Sequence, residues 1–333
     1  MAADIFIPDS SKEDAIVEAL HTVTYVTGEK EGIEKAFVEG YGLQSSGWVS
    51  PLPSERQALN TYFGFSNDDW ESCAFYKTGA GANIQVRAIY NPIKTPSIRH
   101  EYDGLIVGGA TVSFPKEDLY SHERLMAKLG IKSTIGVKEM EFESPSGEVY
   151  VSAEIVYLGP EHTYLLAVKR PDIFVPVGPM DPVTGIGGAA YSARCVANAD
   201  EVNEFLHSVL GFEIRRDVTF TVGERSALLL PEGVEERFIQ AFAPGSSSGY
   251  LVIMDHGQNN RTSQAPDLAS PHRGIVMWSF KTKDIDQVHD RAIEAGIEIL
   301  QAPDERKTPH IPCRKTLLMK DPGGFLIEVF EDE

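Results

Sequence analysis

The sequence predicts an α+β fold made of four copies of one βαβββ unit. Three observations carry this. Four helical segments, GIEKAFVEGYGL, HERLMAKLGI, EVNEFLHSVLGF and VHDRAIEAGIEI, each stop at a glycine followed by a large apolar residue. Those glycines, Gly42, Gly130, Gly211 and Gly296, recur at intervals of 81–88 residues. A short strand pattern precedes each helix, and two or three more follow it.

The leading strands read HTVTYVT, GGATVSF, YSARCV and VMWSFKT. The trailing runs include SCAFYKT and NIQVRAIY in the first unit and RFIQAF and YLVIMD in the third. Their β-branched and aromatic residues favour extended structure. The last unit ends in KDPGGFLIEVFEDE, where a turn opens an alternating run with a carboxylate, Glu328, at its centre. A Pro- and Gly-rich stretch, RPDIFVPVGPMDPVTGIGG, separates two pairs of units. The expected division is therefore an N-terminal domain over 15–170, a linker over 171–184 and a C-terminal domain over 185–333. Within that stretch, residues 185–190 spell GxGxxA, but a Pro-rich segment precedes it and a strand follows. A dinucleotide fingerprint needs a strand before it and a helix after it.

The 333 residues have a formal charge of −19, which disfavours nucleic acid and anionic membrane surfaces. No apolar run is long enough to span a bilayer, and the N-terminus lacks a signal-peptide pattern. Cys73, Cys195 and Cys313 lie far apart with no CxxC. They read as reduced thiols of a cytoplasmic protein. There is no GxSxG elbow and no P-loop.

The repeat, the LGF-like helix ends and the terminal DPGGFLIEVFE together resemble the vicinal oxygen chelate superfamily. It includes glyoxalase I, extradiol dioxygenases and bleomycin-binding proteins. The resemblance covers nearly the whole chain and is closest in units three and four. It implies two half-barrel cups, each curled from a pair of units, into which metal ligands project from the first and last strands of a unit. Carried over residue by residue, the first-strand positions are His21, Gly109, Tyr191 and Met277. The last-strand positions are Gln85, Leu166 or Ala167, Ile253 and Glu328.

On this resemblance His21, Gln85 and Glu328 are the expected ligands of a divalent ion, Zn, Ni, Mn, Fe or Co, with Glu328 doubling as the proton acceptor. Two pairings of units remain open: one with two and three with four, or one with four and two with three. Only the second gathers the three candidates in one cup. The implied function is a metal-dependent lyase or isomerase, glyoxalase-like, acting on a small oxygenated molecule. Because positions 191 and 277 are not His, ring-cleaving dioxygenase chemistry ranks below it. The alternative is a protein without metal that binds or sequesters a small molecule, or an enzyme on the same scaffold that needs none. Tyr191, Met277, Phe280 and Phe330 are the expected substrate contacts. His310, in the loop before the last hairpin, is a candidate to cap the site or to bind substrate. A homodimer is the family-level expectation.

Overall fold

The computed structural model describes residues 15–143, 149–171 and 177–332. All four units form. Unit one comprises β1 (Val17–Thr27), α1 (Lys30–Glu34) with a π-helical continuation (Lys35–Gly40), β2 (Gln44–Ser45), an added helix α2 (Arg56–Phe63), β3 (Glu71–Tyr76) and β4 (Gln85–Tyr90). Unit two runs through β5 (Gly108–Pro115), α3 (Leu119–Lys128), β6 (Lys138–Glu143), β7 (Val149–Leu158) and β8 (Tyr164–Lys169). Unit three has β9 (Tyr191–Cys195), α4 (Ala199–Ser208), β10 (Glu213–Thr221), β11 (Glu235–Phe242) and β12 (Tyr250–Asp255). Unit four has β13 (Gly274–Thr282), α5 (Ile285–Glu294), β14 (Glu298–Asp304), β15 (Lys315–Lys320) and β16 (Leu326–Glu331).

Local chemistry sets the helix limits. Asp118, Asn198 and Asp284 cap α3, α4 and α5 by accepting from backbone N–H groups of the first turn. At the other end the four period-marking glycines take left-handed φ values of 68°, 78°, 73° and 70°. That conformation closes a helix and disfavours any residue with a Cβ.

Within each unit the first and last strands lie side by side and parallel: β1 with β4, β5 with β8, β9 with β12 and β13 with β16. A parallel pair needs a long crossover, which the helix and intervening strands supply. Units then join through their first strands, antiparallel, β1 to β13 and β5 to β9. The result is two eight-stranded sheets, ordered β14-β15-β16-β13-β1-β4-β3-β2 and β10-β11-β12-β9-β5-β8-β7-β6. Units one and four therefore share one sheet, and units two and three the other. This is the crossed pairing, so each sheet draws strands from both sides of segment 171–184. Residues 172–176 of that segment lie outside the described residues.

One face of each sheet packs into a common apolar core. Val23, Tyr25, Trp278, Phe280, Ile327 and Val329 from the first sheet meet Phe37, Ile285 and Val288 from helices and Val112 and Leu251 from the second sheet. Each such fully buried side chain contributes roughly 1.5–3 kcal/mol. Polar ties cross between sheets as well. Trp278 donates its indole N–H to Ser192 Oγ at 2.9 Å. The Arg194 guanidinium pairs with Asp321, both fully buried, and lies over the rings of Trp278 and Phe325. Asp321 also accepts from the Phe325 backbone N–H at 3.0 Å, which accounts for the acid of the Asp-Pro-Gly-Gly turn. No described helix is long and apolar enough to cross a membrane.

Candidate functional site

Alternation along the strands places Thr22, Thr24, Gln85, Arg87, Met277, Ser279, Glu328 and Phe330 on the opposite face of the first sheet, in its cup. Register defines a row across four strands: Gln85 opposite Thr22, Thr22 opposite Ser279, and Ser279 opposite Glu328. A second row holds Arg87, Thr24, Met277 and Leu326.

Glu328 points into this cup and is fully buried. Its Oε1 accepts from Tyr62 OH at 2.8 Å. Its Oε2 accepts from Ser279 Oγ at 2.6 Å and from Arg87 Nη2 at 2.9 Å. The carboxylate is thus neutralised by a guanidinium that is itself buried. Arg87 also donates from Nε to Thr24 Oγ1 at 3.0 Å, contacts Met277 Sδ at 3.2 Å, and lies over the Phe63 ring. Two buried charges are tolerable only when paired and hydrogen-bonded in this manner. Burial raises the Tyr62 hydroxyl well above the usual phenol range, and the adjacent Glu328 charge adds to the effect, so Tyr62 remains a donor.

His21 sits where the β1–β13 register shifts, between Leu20 and Thr22. Its Nδ1 is 2.7 Å from Thr22 Oγ1, and its ring meets Phe330 edge-on at 4.9 Å. Burial lowers its pKa to about 4, with Arg87 and Lys281 reinforcing and Glu328 opposing, so the imidazole is neutral. Gln85 donates from Nε2 to Thr22 Oγ1 at 2.9 Å and to the His310 carbonyl at 2.8 Å.

The cup is roofed by α2 and by the segment 305–314 between β14 and β15. Arg87 Nη1 donates to the Pro309 carbonyl at 3.3 Å. The His310 ring places Nε2 3.1 Å from Ser72 Oγ. Beside His21 a cavity of about 210 Å³, lined by Glu18, Leu20, Asn83 and Lys281 among others, adjoins a larger one of about 360 Å³ lined by Ile16, Pro244 and residues 246–248.

The sequence candidates divide accordingly. His21, Gln85, Met277, Glu328 and Phe330 come together in the first sheet. Phe280 does not: it faces the core, edge-on to Phe212 at 5.5 Å. Tyr191 lies in the other cup, stacked on Tyr250 at 4.6 Å, with Phe242 stacked beyond it. The Gly109 and Leu166 positions also belong to that sheet, while Ile253 lies in the core. Sequence reasoning missed Arg87, Ser279, Thr22 and Tyr62. Arg87 was readable, because strand alternation puts it on the same face as Gln85. Ser279 required a two-residue shift from Met277, and nothing in the repeat announces α2.

These side chains do not fit a divalent ion. The Glu328 oxygens already serve three donors, one of them cationic at 2.9 Å, and a second positive charge there would be repelled. Gln85 presents its N–H₂ to two acceptors. Among the described residues no three His, Cys, Asp or Glu side chains cluster as a metal site.

Residues 188–329 match the family model of the Glyoxalase/Bleomycin resistance protein/Dioxygenase superfamily. Among solved structures, glyoxalase I from Zea mays superposes with a TM-score of 0.60 at 14% identity, covering 96% of this chain and 94% of that one. A point variant of the same enzyme gives 0.62 at 15%, covering 96% and 95%. A putative dioxygenase from Bacillus subtilis subsp. subtilis str. 168 gives 0.55 at 14%, covering 96% and 86%. At these identities the likeness is one of fold. The curated proteins give no match.

Proposed function

Since residues 188–329 belong to the Glyoxalase/Bleomycin resistance protein/Dioxygenase superfamily, and the whole chain has a glyoxalase-like fold, we propose that this protein binds a small oxygenated molecule in the first cup without a metal ion. The observation that carries this reading is the Arg87–Glu328 pair. The carboxylate that the superfamily pattern assigns to a metal is neutralised by a cation of the chain itself.

In this role Arg87 and Gln85 supply N–H donors for ligand oxygens, Met277 and Phe330 supply apolar contact, and Thr22 and Ser279 hold the polar row in place. Tyr62 and Ser279 fix the Glu328 carboxylate, which in turn orients Arg87. The cavity beside neutral His21 lies next to the cup, with His21 itself in its wall. The three buried free cysteines support residence in a reducing compartment.

The metal-dependent lyase or isomerase reading retains one observation in its favour: Gln85 and Glu328 terminate the same cross-strand row. Elemental analysis after incubation with Zn, Ni, Mn and Fe decides between the two. The proposal expects no stoichiometric metal in the wild type. One ion per chain, lost in Glu328→Gln, would sink it and restore the metal-dependent reading.

A further inference from the structure

We propose that the strap, residues 305–314, is an internal ligand of the first cup. It lifts to let Gln85 and Arg87 bind a small neutral molecule with two carbonyl oxygens spaced like those of successive peptides. This rests on the small-molecule reading above and adds the ligand class and the mode of entry.

The contacts between strap and cup define the chemistry. Two donors from the cup floor, Gln85 Nε2 and Arg87 Nη1, are occupied by two consecutive backbone carbonyls, His310 O at 2.8 Å and Pro309 O at 3.3 Å. Arg87 is buried and Gln85 half-buried, so lifting the strap without a replacement ligand hands these two donor positions to water. A molecule offering two carbonyl oxygens at peptide spacing restores both bonds. Charge favours a neutral ligand. Arg87 and Glu328 cancel, His21 is uncharged, and Lys281 at the edge is paired with Asp332 and Glu18.

The strap is also built to detach. Between β14 and β15 it forms no helix or strand. Its buried apolar side chains, Ile311 and Cys313, form a small cluster with Phe330, apart from the main core. Its other ties lie at its edges: the His310 ring against Ser72 and Ser46, Arg306 donating to the Ala58 carbonyl at 3.2 Å and lying over the Tyr62 ring, and Arg314 bound through its backbone N–H and guanidinium to Glu331. His310 has φ of +63°, a left-handed conformation that strains a residue with a Cβ. Such strain is held only while the surrounding contacts persist, and opening relieves it. Segments with few core contacts open at lower free energy than the fold as a whole.

Cys313 lies in the strap, whereas Cys73 lies in the main core and Cys195 in the second sheet, so the chain carries a reporter and two internal references. The experiment is alkylation of the full chain by iodoacetamide under native conditions, with each thiol followed by peptide mass spectrometry. Cys313 is expected to react at least about tenfold faster than Cys73 and Cys195. Loss of one latch in Gln85→Ala raises the Cys313 rate roughly fivefold and leaves the other two unchanged. N-acetylglycinamide, which carries two amide carbonyls at the required spacing, raises the Cys313 rate saturably in the wild type and less in Gln85→Ala. Equal rates at all three cysteines would show that the strap opens only with the whole fold, and would overturn the proposal. A fast Cys313 that ignores N-acetylglycinamide would overturn the ligand assignment. Either failure is separate from the metal analysis, which judges the underlying reading by itself.

Discussion

Arg87 on β4 reaches across β1 and β13 to Glu328 on β16 and closes an ion pair of 2.9 Å with neither side chain exposed. The pair ties the last strand of the first unit to the last strand of the fourth, and so joins residues 241 positions apart. Removing one partner leaves the other charge buried without compensation. Glu328→Met or Arg87→Met alone should therefore destabilise the protein by about 3–5 kcal/mol. The double variant Arg87→Met/Glu328→Met removes both charges and should recover most of that loss. Urea denaturation of the four proteins, read as a double-mutant cycle, checks it. Additive losses in the double variant would mean that the two groups are not coupled.

Tyr62 makes a smaller contribution to the same network. Its hydroxyl donates 2.8 Å to Glu328 Oε1, and among the described residues the helix that carries it has no counterpart in the other three units. Tyr62→Phe keeps the ring packed against Phe63 and deletes one hydrogen bond to a charged acceptor. The expected loss is about 1.5–3 kcal/mol. An unchanged denaturation midpoint would show that the carboxylate finds another donor.

The fold was legible because its signals repeat. A glycine that must adopt left-handed φ ends each helix, and the parallel first and last strands of a unit follow from the same pattern each time. Glu328 stood out for a related reason: a carboxylate among Leu326, Ile327, Val329 and Phe330 has to be compensated. The partner was harder to read. Superfamily positions pointed to His21 and Gln85, whereas the compensating group is Arg87, two residues beyond Gln85 on the same face. Phe280 was misplaced because the residues from Met277 to Phe280 span an odd number of steps, which puts them on opposite faces of β13. Tyr62 and the strap lie in insertions between repeat elements, where no periodicity speaks.

Protonation of His21 should weaken the folded state on the acid side. Burial depresses its pKa from 6.5 to about 4, so between those values the unfolded chain binds more protons than the folded one. Stability therefore rises with pH across that window and is lost as pH falls through it, by about 3 kcal/mol at most for this group. His122, held between the Gly40 carbonyl and Tyr157 and also lowered to about 4, acts in the same direction. Glu154, raised by burial, opposes them. The check is a comparison of slopes: His21→Gln should flatten the stability profile between pH 6.5 and 4 relative to wild type. Identical slopes would mean that the imidazole titrates normally in the fold.

The Arg194–Asp321 pair makes a prediction about the two sheets together. Arg194 belongs to β9 in the second sheet, and Asp321 follows β15 in the first. Both are buried, and the guanidinium lies 4.8 Å from the Phe325 ring and 5.1 Å from that of Trp278. Trp278 completes the tie through Ser192. Asp321→Ala strands the guanidinium between the sheets and frees the Phe325 N–H, so a loss of about 3–5 kcal/mol is expected. Because the apolar core is continuous across both sheets, the wild type should unfold in one step, with tryptophan fluorescence and far-ultraviolet circular dichroism coincident. In Asp321→Ala the midpoint shifts to lower urea, and the two signals separate if the polar ties hold the sheets in one cooperative unit. A shifted midpoint with coincident signals would assign that cooperativity to the apolar contacts around Trp278 and leave the ion pair a purely local stabiliser.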